Sequence, residues 1–301
     1  MNLKFINKVI ASYEETLPED DVKRLQFFYG LWEDMERWAK GPTTADKHYT
    51  VPSEEELEKA WAADKPVFSF APPKLSKDRF TAICYSLREY VLAQNILSDQ
   101  DAEAFRAVDF RDLVHQEDMN LAATDAEAFL GGVLSNAFEK DIPDTAAHMA
   151  AMVSMLALRV DLELVAKSVV KHQRNIAKMN HNPLTCPVCG GQPAMARVGG
   201  EGPTDGRGRV LYCQQCGTEW AFERLRCARC GTKNPQYLHY FNVEGDDAHR
   251  IHMCNECGGY IRTTFVEDIL SPFSFEVEEV VTARLEAIAR DPRFNKTEEQ
   301  S

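Results

Sequence analysis

Four Cys-x-x-Cys pairs constrain this chain more than any other feature of its sequence. Eight of the nine cysteines form these pairs, which are Cys186/Cys189, Cys213/Cys216, Cys227/Cys230 and Cys254/Cys257. Adding 41 to each of the first four positions gives each of the last four. The region is therefore a tandem repeat of Cys-x2-Cys-x23-Cys-x2-Cys, in which a glycine follows every pair.

This spacing predicts two metal sites with four sulfur ligands each. One Cys-x-x-Cys turn directs two thiolates at one point, and two such turns complete a tetrahedron. The repeat favours successive pairing, with one ion held by the first four cysteines and another by the last four. A crossed arrangement stays open, because Cys213/Cys216 and Cys227/Cys230 are close in sequence and could share a metal. His252 precedes Cys254 by two residues and is a weaker alternative ligand.

The residues leave the identity of the two metal ions open between iron and zinc, since both suit tetrahedral thiolate sites. Thiol exchange of the thioredoxin kind is disfavoured, because the pairs have no βαβ context. Structural disulfides are disfavoured as well, because the N-terminus lacks the apolar core of an export signal. The ninth cysteine, Cys84, lies in a periodic segment and is expected to be an inert core thiol.

The N-terminal part of the chain is predicted to be an all-α bundle. Apolar residues recur at helical period over 22–40, 78–97, 124–139 and 145–178. Ser53 and Glu56 have the spacing of a capping box at a helix start. Pro66, Pro72 and Pro73 predict an irregular stretch between helices.

After Asn182, short runs that alternate with glycine-rich corners predict small hairpins. The runs are 209–212, 236–241 and 260–265, with hairpin tips around 199–208 and at Gly245, and 275–288 returns to a helical period. We therefore expect an α+β chain in four parts. These are a helical domain over 1–182, two rubredoxin-like or zinc-ribbon modules over 183–225 and 226–266, and a C-terminal helix and tail over 267–301.

Charge and hydropathy restrict the classes of partner. The net charge of −13 argues against general binding to nucleic acid or anionic membranes. Residues 186–262 hold 9 Lys and Arg against 8 Asp and Glu, with one tight basic cluster at Arg224, Arg226 and Arg229. No apolar run approaches the roughly 20 residues of a membrane span. We expect a cytoplasmic protein that binds neither membrane nor nucleic acid, and it is expected not to be an enzyme because no catalytic constellation stands out.

The motifs around the cysteines resemble the formate dehydrogenase accessory protein family FdhE. The stretches that carry this resemblance are 186–193 (CPVCGGQP), 211–220 (LYCQQCGTEW), 224–231 (RLRCARCG) and 254–263 (CNECGGYIRT). The resemblance extends over about 80 residues, and the Cys-x-x-Cys-x-x-Glu-Trp-x-x-x-Arg link into the third pair is its most specific element. The helical part is compatible with the family but carries no sharp motif.

The resemblance implies a cytoplasmic assembly factor that binds the catalytic subunit of formate dehydrogenase and supports its maturation. It also implies rubredoxin-like iron binding by the eight paired cysteines. Four residues beside the Cys-x-x-Cys turns, which we call knuckles, are expected to contact that partner: Glu219, Trp220, Arg224 and Tyr260. Trp220 could instead cap a metal site, and Glu219 could pair with a nearby arginine. A redox module that passes electrons during maturation is the alternative function, a nucleic-acid-binding zinc ribbon is a remote one, and homodimer formation stays open.

Overall fold

Helices form the N-terminal part of the chain, as the sequence predicts. The structure is a computed structural model that describes residues 1–173, 182–200, 208–268 and 272–290. Its first nine helices are Leu3–Tyr13 (α1), Glu19–Ala39 (α2), Glu54–Ala62 (α3), Lys77–Ala93 (α4), Asp99–Ala107 (α5), Phe110–Leu113 (α6), Asp118–Thr124 (α7), Ala126–Glu139 (α8) and Asp144–Gln173 (α9). Single 3₁₀ turns lie at Ala45–His48 and Val67–Ser69.

Polar side chains cap several of these helices. The predicted capping box at the start of α3 is confirmed, since the Ser53 side chain accepts from the Glu56 N–H and the Glu56 carboxylate accepts from the Ser53 N–H. Ser76 and Ser98 cap α4 and α5 in the simpler way, by accepting one backbone N–H each. These contacts satisfy amide groups that have no partner inside the helix.

Helix α9 is the central element of the helical part. Its 30 residues are apolar on most sides, and α2, α4, α5 and α8 pack around it. A helix that is hydrophobic around its circumference belongs inside a core. The prediction placed this helix over 145–178, and the described residues include its course from Asp144 to Gln173. The predicted residues 174–178 lie outside the described part of the chain.

The described residues of the cysteine-bearing region fold into one sheet of six strands. They are Met195–Val198 (β1), Arg209–Tyr212 (β2), Glu219–Phe222 (β3), Leu238–Phe241 (β4), His249–Cys254 (β5) and Tyr260–Phe265 (β6). The strand order is β3-β2-β1-β6-β5-β4, and only the pairing of β1 with β6 is parallel. The two repeats therefore share a continuous sheet, joined where Met195 lies opposite Arg262. The α+β class is confirmed.

Two boundaries differ from the sequence expectation. The predicted run over 236–241 begins as a 3₁₀ turn, Pro235–Tyr237. Proline has no N–H to donate to a neighbouring strand, and the Asn234 side chain accepts from the Gln236 N–H. The predicted helix over 275–288 is two helices, Phe275–Val281 (α10) and Ala283–Arg290 (α11). They separate at Thr282, whose hydroxyl donates to the Glu278 carbonyl at 2.6 Å.

The helical part and the sheet share one hydrophobic core. Cys186, Val188 and Trp220 belong to the same buried cluster as the helices α2, α4 and α9. On the other side of the sheet, the Phe275 ring of α10 stacks on Tyr212 with 4.4 Å between ring centroids. Among the described helices, none has the length and apolar character that a bilayer span requires.

Candidate metal centres

The first four cysteines converge on one point beneath the helical part. The Cys186 and Cys216 sulfurs lie 3.5 Å apart, those of Cys189 and Cys213 lie 3.4 Å apart, and all four lie within 4.8 Å of one another. Metal–sulfur bonds of about 2.3 Å in a tetrahedron require sulfur separations of about 3.8 Å. A disulfide would require about 2.05 Å, and all nine cysteines are free. These four residues form what we call the inner tetrad.

The last four cysteines form a second group, which we call the outer tetrad. The separations between sulfurs are 3.8 Å for Cys227 and Cys257 and 3.8 Å for Cys230 and Cys254. The geometry groups the cysteines as two successive sets of four and does not bring Cys213/Cys216 together with Cys227/Cys230. His252 belongs to neither group. Each tetrad could hold one metal ion.

A glycine turn builds each of the four knuckles in the same way. The residue after each pair is Gly190, Gly217, Gly231 or Gly258, and all four have φ between +69° and +84°. Its amide donates to the carbonyl of the first cysteine, as Gly190 does to Cys186 at 2.9 Å. A side chain at this φ would strain the backbone, which explains why glycine occupies this place in every knuckle.

The two tetrads differ in exposure. All four cysteines of the inner tetrad are buried, whereas Cys230 and Cys257 of the outer tetrad are exposed. In the outer tetrad, backbone amides point at sulfur: Arg229 donates to Cys227 Sγ at 3.3 Å and Gly259 donates to Cys257 Sγ at 3.4 Å. Partial burial raises the pKa of Cys227, but the N–H groups of Cys230 and Arg229 outweigh it and lower that pKa to about 7. The thiolate form that binds metal is therefore favoured at Cys227, whereas burial raises the pKa of Cys254 and raises that of Cys257 to about 12.

The helical part holds the inner tetrad through contacts that the sequence analysis missed. The Trp61 indole N–H donates to the Pro187 carbonyl at 3.0 Å, between the first two cysteines. The Phe68 and Val67 amides donate to Val188 and Pro187 at 2.8 and 3.1 Å. The predicted irregular stretch after Pro66 thus packs against the first knuckle. No local pattern at Trp61 or Phe68 indicates a partner more than 100 residues away.

Trp220 lies in the core. Its side chain is 3% exposed, and its indole N–H donates to the Pro183 carbonyl at 2.9 Å. A buried indole offers little surface to a second protein, and the contact of Trp220 with a partner stays a prediction. Glu219 has its carboxylate 3.4 Å from the Arg197 guanidinium, as the alternative of an arginine pair anticipated.

The other two expected contact residues are Arg224 and Tyr260. Arg224 is exposed on the linker between the two repeats. Tyr260 is half-buried, and its hydroxyl lies 3.4 Å from the Glu286 carboxylate of α11. The pKa of His252 falls to about 3 because of burial and the nearby charges of Arg209, Arg250 and Arg224. Of the four expected contacts, Arg224 and Glu219 are exposed.

Comparisons with known proteins agree with the resemblance seen in the sequence. Residues 185–224 match the family model for the central domain of FdhE. A protein FdhE homolog of Stutzerimonas stutzeri is 32% identical over 114 residues, which are 37% of this chain and 35% of that protein. The protein FdhE of Salmonella paratyphi B is 36% identical over 83 residues, which are 27% of this chain and 26% of that protein. The matched segments thus span about a third or less of these relatives.

A solved structure extends the likeness from the cysteine region to the fold of the chain. The crystal structure of the FdhE protein from Pseudomonas aeruginosa aligns with a TM-score of 0.56 and covers 96% of this chain and 91% of that one. Sequence identity over this alignment is 15%. At this identity the match supports a shared fold, with helices followed by the cysteine-bearing sheet.

Proposed function

We propose that the chain is a member of the FdhE family and an accessory protein for formate dehydrogenase, on the strength of its matches to the FdhE central domain and to FdhE proteins. In this proposal it binds the catalytic subunit in the cytoplasm and supports the maturation of that subunit. The grouping of eight cysteines into two tetrads, the first of which lies in the region that matches the family model, is the observation that carries the proposal. The role is that of a binding partner and not of an enzyme.

The proposal assigns one iron or zinc ion to each tetrad, where it would fix the knuckles as a rigid platform. The donor set fits either ion, since each tetrad offers four sulfurs and no other ligand type. Binding of this kind stabilises a small ribbon by about 10–16 kcal/mol at neutral pH. The sheet would then present a fixed surface to the client subunit, with the helical part packed behind the inner tetrad.

Replacing the exposed arginine of the linker tests the partner surface. If Arg224 contacts the catalytic subunit, affinity purification of the Arg224→Ala chain from the native host should recover about tenfold less of that subunit. This is the usual effect of losing an interface arginine. Lys233→Ala is the control, because Lys233 is an exposed cation nine positions further along the chain, where it pairs with Glu223. Both variants should keep their metal.

The outcome distinguishes a contact from an indirect effect. Equal recovery of the catalytic subunit with Arg224→Ala and Lys233→Ala would remove Arg224 from the interface. Loss of metal in parallel with loss of the subunit would mean that the substitution damages the platform. Failure of the unmodified chain to recover any formate dehydrogenase subunit would contradict the proposed function itself.

The exposure of the outer tetrad supports a second candidate function, that of a redox module. Cys230 and Cys257 lie at the surface, so an iron ion bound there would be close to a docked protein. An outer tetrad that binds iron and cycles reversibly at a potential within the physiological range would support this function. A chain isolated with zinc alone would contradict it, since zinc has no redox chemistry.

A further inference from the structure

Among the described residues, five arginines are buried, and one of them differs from the rest in its surroundings. The five are Arg79, Arg159, Arg197, Arg209 and Arg262. Four of them form ion pairs at 3.0 to 3.4 Å, with the carboxylates of Asp161, Glu163, Glu219 and Glu286. Arg209 forms no ion pair within the described part of the chain. Since a buried charge without a counter-charge is costly, the fold must supply one to Arg209 in another form.

Arg209 is the first residue of β2, and its guanidinium is only partly satisfied. The residue is 2% exposed, and its Nη1 donates to the Arg226 carbonyl at 3.0 Å. Its Nε and Nη2 are buried and have no hydrogen-bond partner among the residues that the structure describes. The Phe222 ring, with its centre 5.8 Å from the guanidinium carbon, adds a weak attraction. These contacts hold the charge in place but do not neutralise it.

The outer tetrad is the source of negative charge beside this guanidinium. Arg209 lines one cavity together with Cys227 and Cys254, and none of the described residues that line this cavity is Asp or Glu. Burial lowers the pKa of Arg209 to about 10, and the charge of Cys227 opposes this shift. Four thiolates around a divalent ion carry about −2. An ion bound by the outer tetrad would therefore create the missing counter-charge.

The other arginines of this cavity are placed differently. All four are at least partly exposed, namely Arg224, Arg226, Arg229 and Arg250. Arg226 lies 3.8 Å from the Glu223 carboxylate, and Arg250 donates to the Asp247 carbonyl at 3.0 Å. Water screens charges at such positions, whereas a buried charge acts through a medium of lower dielectric constant. Arg209 is therefore the arginine on which the charge of the outer tetrad acts most strongly.

We propose that Arg209 is the counter-charge of the outer tetrad, so that ion binding there and the burial of this arginine stabilise each other. The proposal rests on the assignment of one ion to the outer tetrad. With the ion bound, the tetrad and the guanidinium attract each other in the interior. Without it, the guanidinium is buried with no anion beside it. Because Arg209 belongs to the first repeat and Cys227 to the second, this charge pair also joins the two repeats.

Competition for zinc with a chelating dye tests the effect on ion binding. In the chain loaded with two zinc ions, Arg209→Met should raise the dissociation constant of the outer ion by at least about tenfold and leave the inner ion unchanged. The outer ion is identified as the one that Cys230→Ser/Cys257→Ser lacks. Arg197→Met is the matched control, because Arg197 is a buried strand arginine that pairs with Glu219, and both constants should stay the same.

Two further variants keep this test decisive if Arg209→Met does not fold. Arg209→Lys retains the positive charge, and Arg209→Gln removes it with a side chain of similar size. Arg209→Lys should bind the outer zinc ion at least about tenfold more tightly than Arg209→Gln. Equal affinity in the two variants would show that the charge at this position does not act on the tetrad.

Urea unfolding provides an independent test, because the proposal predicts a change of sign. In the zinc-loaded chain, Arg209→Met should lower the urea midpoint. In the Cys230→Ser/Cys257→Ser background, which holds only the inner ion, the same substitution should raise the midpoint, since it removes a buried charge that has lost its counter-charge. A residue that serves packing alone would lower the midpoint in both backgrounds, as Arg197→Met should.

The possible failures are distinguishable. An unchanged dissociation constant for the outer ion in Arg209→Met, or a lower urea midpoint with this substitution in both backgrounds, would overturn the role of Arg209 alone. An outer tetrad that takes up no zinc in the unmodified chain would overturn this role together with the assignment of the ion. Recovery of the catalytic subunit in affinity purification measures the proposed accessory function separately from all of these results.

Discussion

Replacing Cys186 and Cys213 together by serine is expected to unfold the sheet, because the inner tetrad is part of the main core. Its sulfurs are buried in the same cluster as Val188 and Trp220. A bound ion there contributes about 10–16 kcal/mol, which is as large as the entire net stability of a typical domain. Limited proteolysis should then cleave within residues 182–268, while far-UV circular dichroism retains part of the helical signal.

The outer tetrad provides the matched control for this prediction. Cys230→Ser with Cys257→Ser removes the same number of sulfurs but from exposed positions. This variant should lose one ion and keep the inner tetrad, and residues 208–222 should stay resistant to protease. Equal proteolytic sensitivity of the two double variants would contradict the assignment of the inner tetrad as the structural one.

His249→Gln is expected to lower the free energy of unfolding by about 3–5 kcal/mol, the usual cost of breaking a buried ion pair. His249 Nδ1 lies 2.9 Å from Asp246, and Nε2 lies 2.8 Å from the buried carboxylate of Glu278. The other oxygen of Glu278 accepts from the Tyr13 hydroxyl at 2.6 Å. One buried network thus joins α1, α10 and β5. His148→Gln, at an exposed helical position, is the control and should change stability little.

This network also predicts a dependence of stability on pH. Burial lowers the pKa of His249, but hydrogen bonds to Asp246 and Glu278 outweigh burial and raise the pKa from 6.5 to about 9. A folded pKa above the unfolded one gives a contribution that is fully present below pH 6.5. The contribution, about 3 kcal/mol, falls as the pH rises from 6.5 through 9.

Urea unfolding at several pH values measures the contribution of His249 to the free energy of unfolding. The unmodified protein should lose more stability between pH 6.5 and 9 than His249→Gln does, and the difference between the two should shrink over that range. Parallel pH profiles for the two proteins would mean that His249 is not held in its charged form by Asp246 and Glu278.

The cysteine spacing and the helical periods predicted much of this molecule because both are local signals. The repeat placed the two tetrads, and glycine after each pair marked the turns that the structure shows with positive φ. The alternation of polar and apolar residues in β3 would also have predicted that the Trp220 side chain is buried. In Glu219–Phe222, Trp220 and Phe222 are buried while Glu219 is exposed, which is the pattern of a strand with one covered face.

The contacts that join the repeats to each other and to the helices had no local signal. The parallel pairing of β1 with β6 brings together residues more than 60 positions apart, and it needs no special residue type. Tyr13 and Glu278 are separated by 265 positions. Arg209 is a single arginine in β2, and only the fold places it beside Arg226 of the basic cluster. Such pairings depend on tertiary packing, which periodicity does not report.

The ratio of metal to protein tests the central claim most directly, namely that two separate tetrads each hold one ion. Native mass spectrometry of the purified chain should give two ions per chain, with one remaining in Cys230→Ser/Cys257→Ser. X-ray absorption should give four sulfur neighbours at about 2.3 Å around each ion. One ion shared by the eight cysteines, or a mass that shows disulfides in a folded chain without metal, would contradict the account.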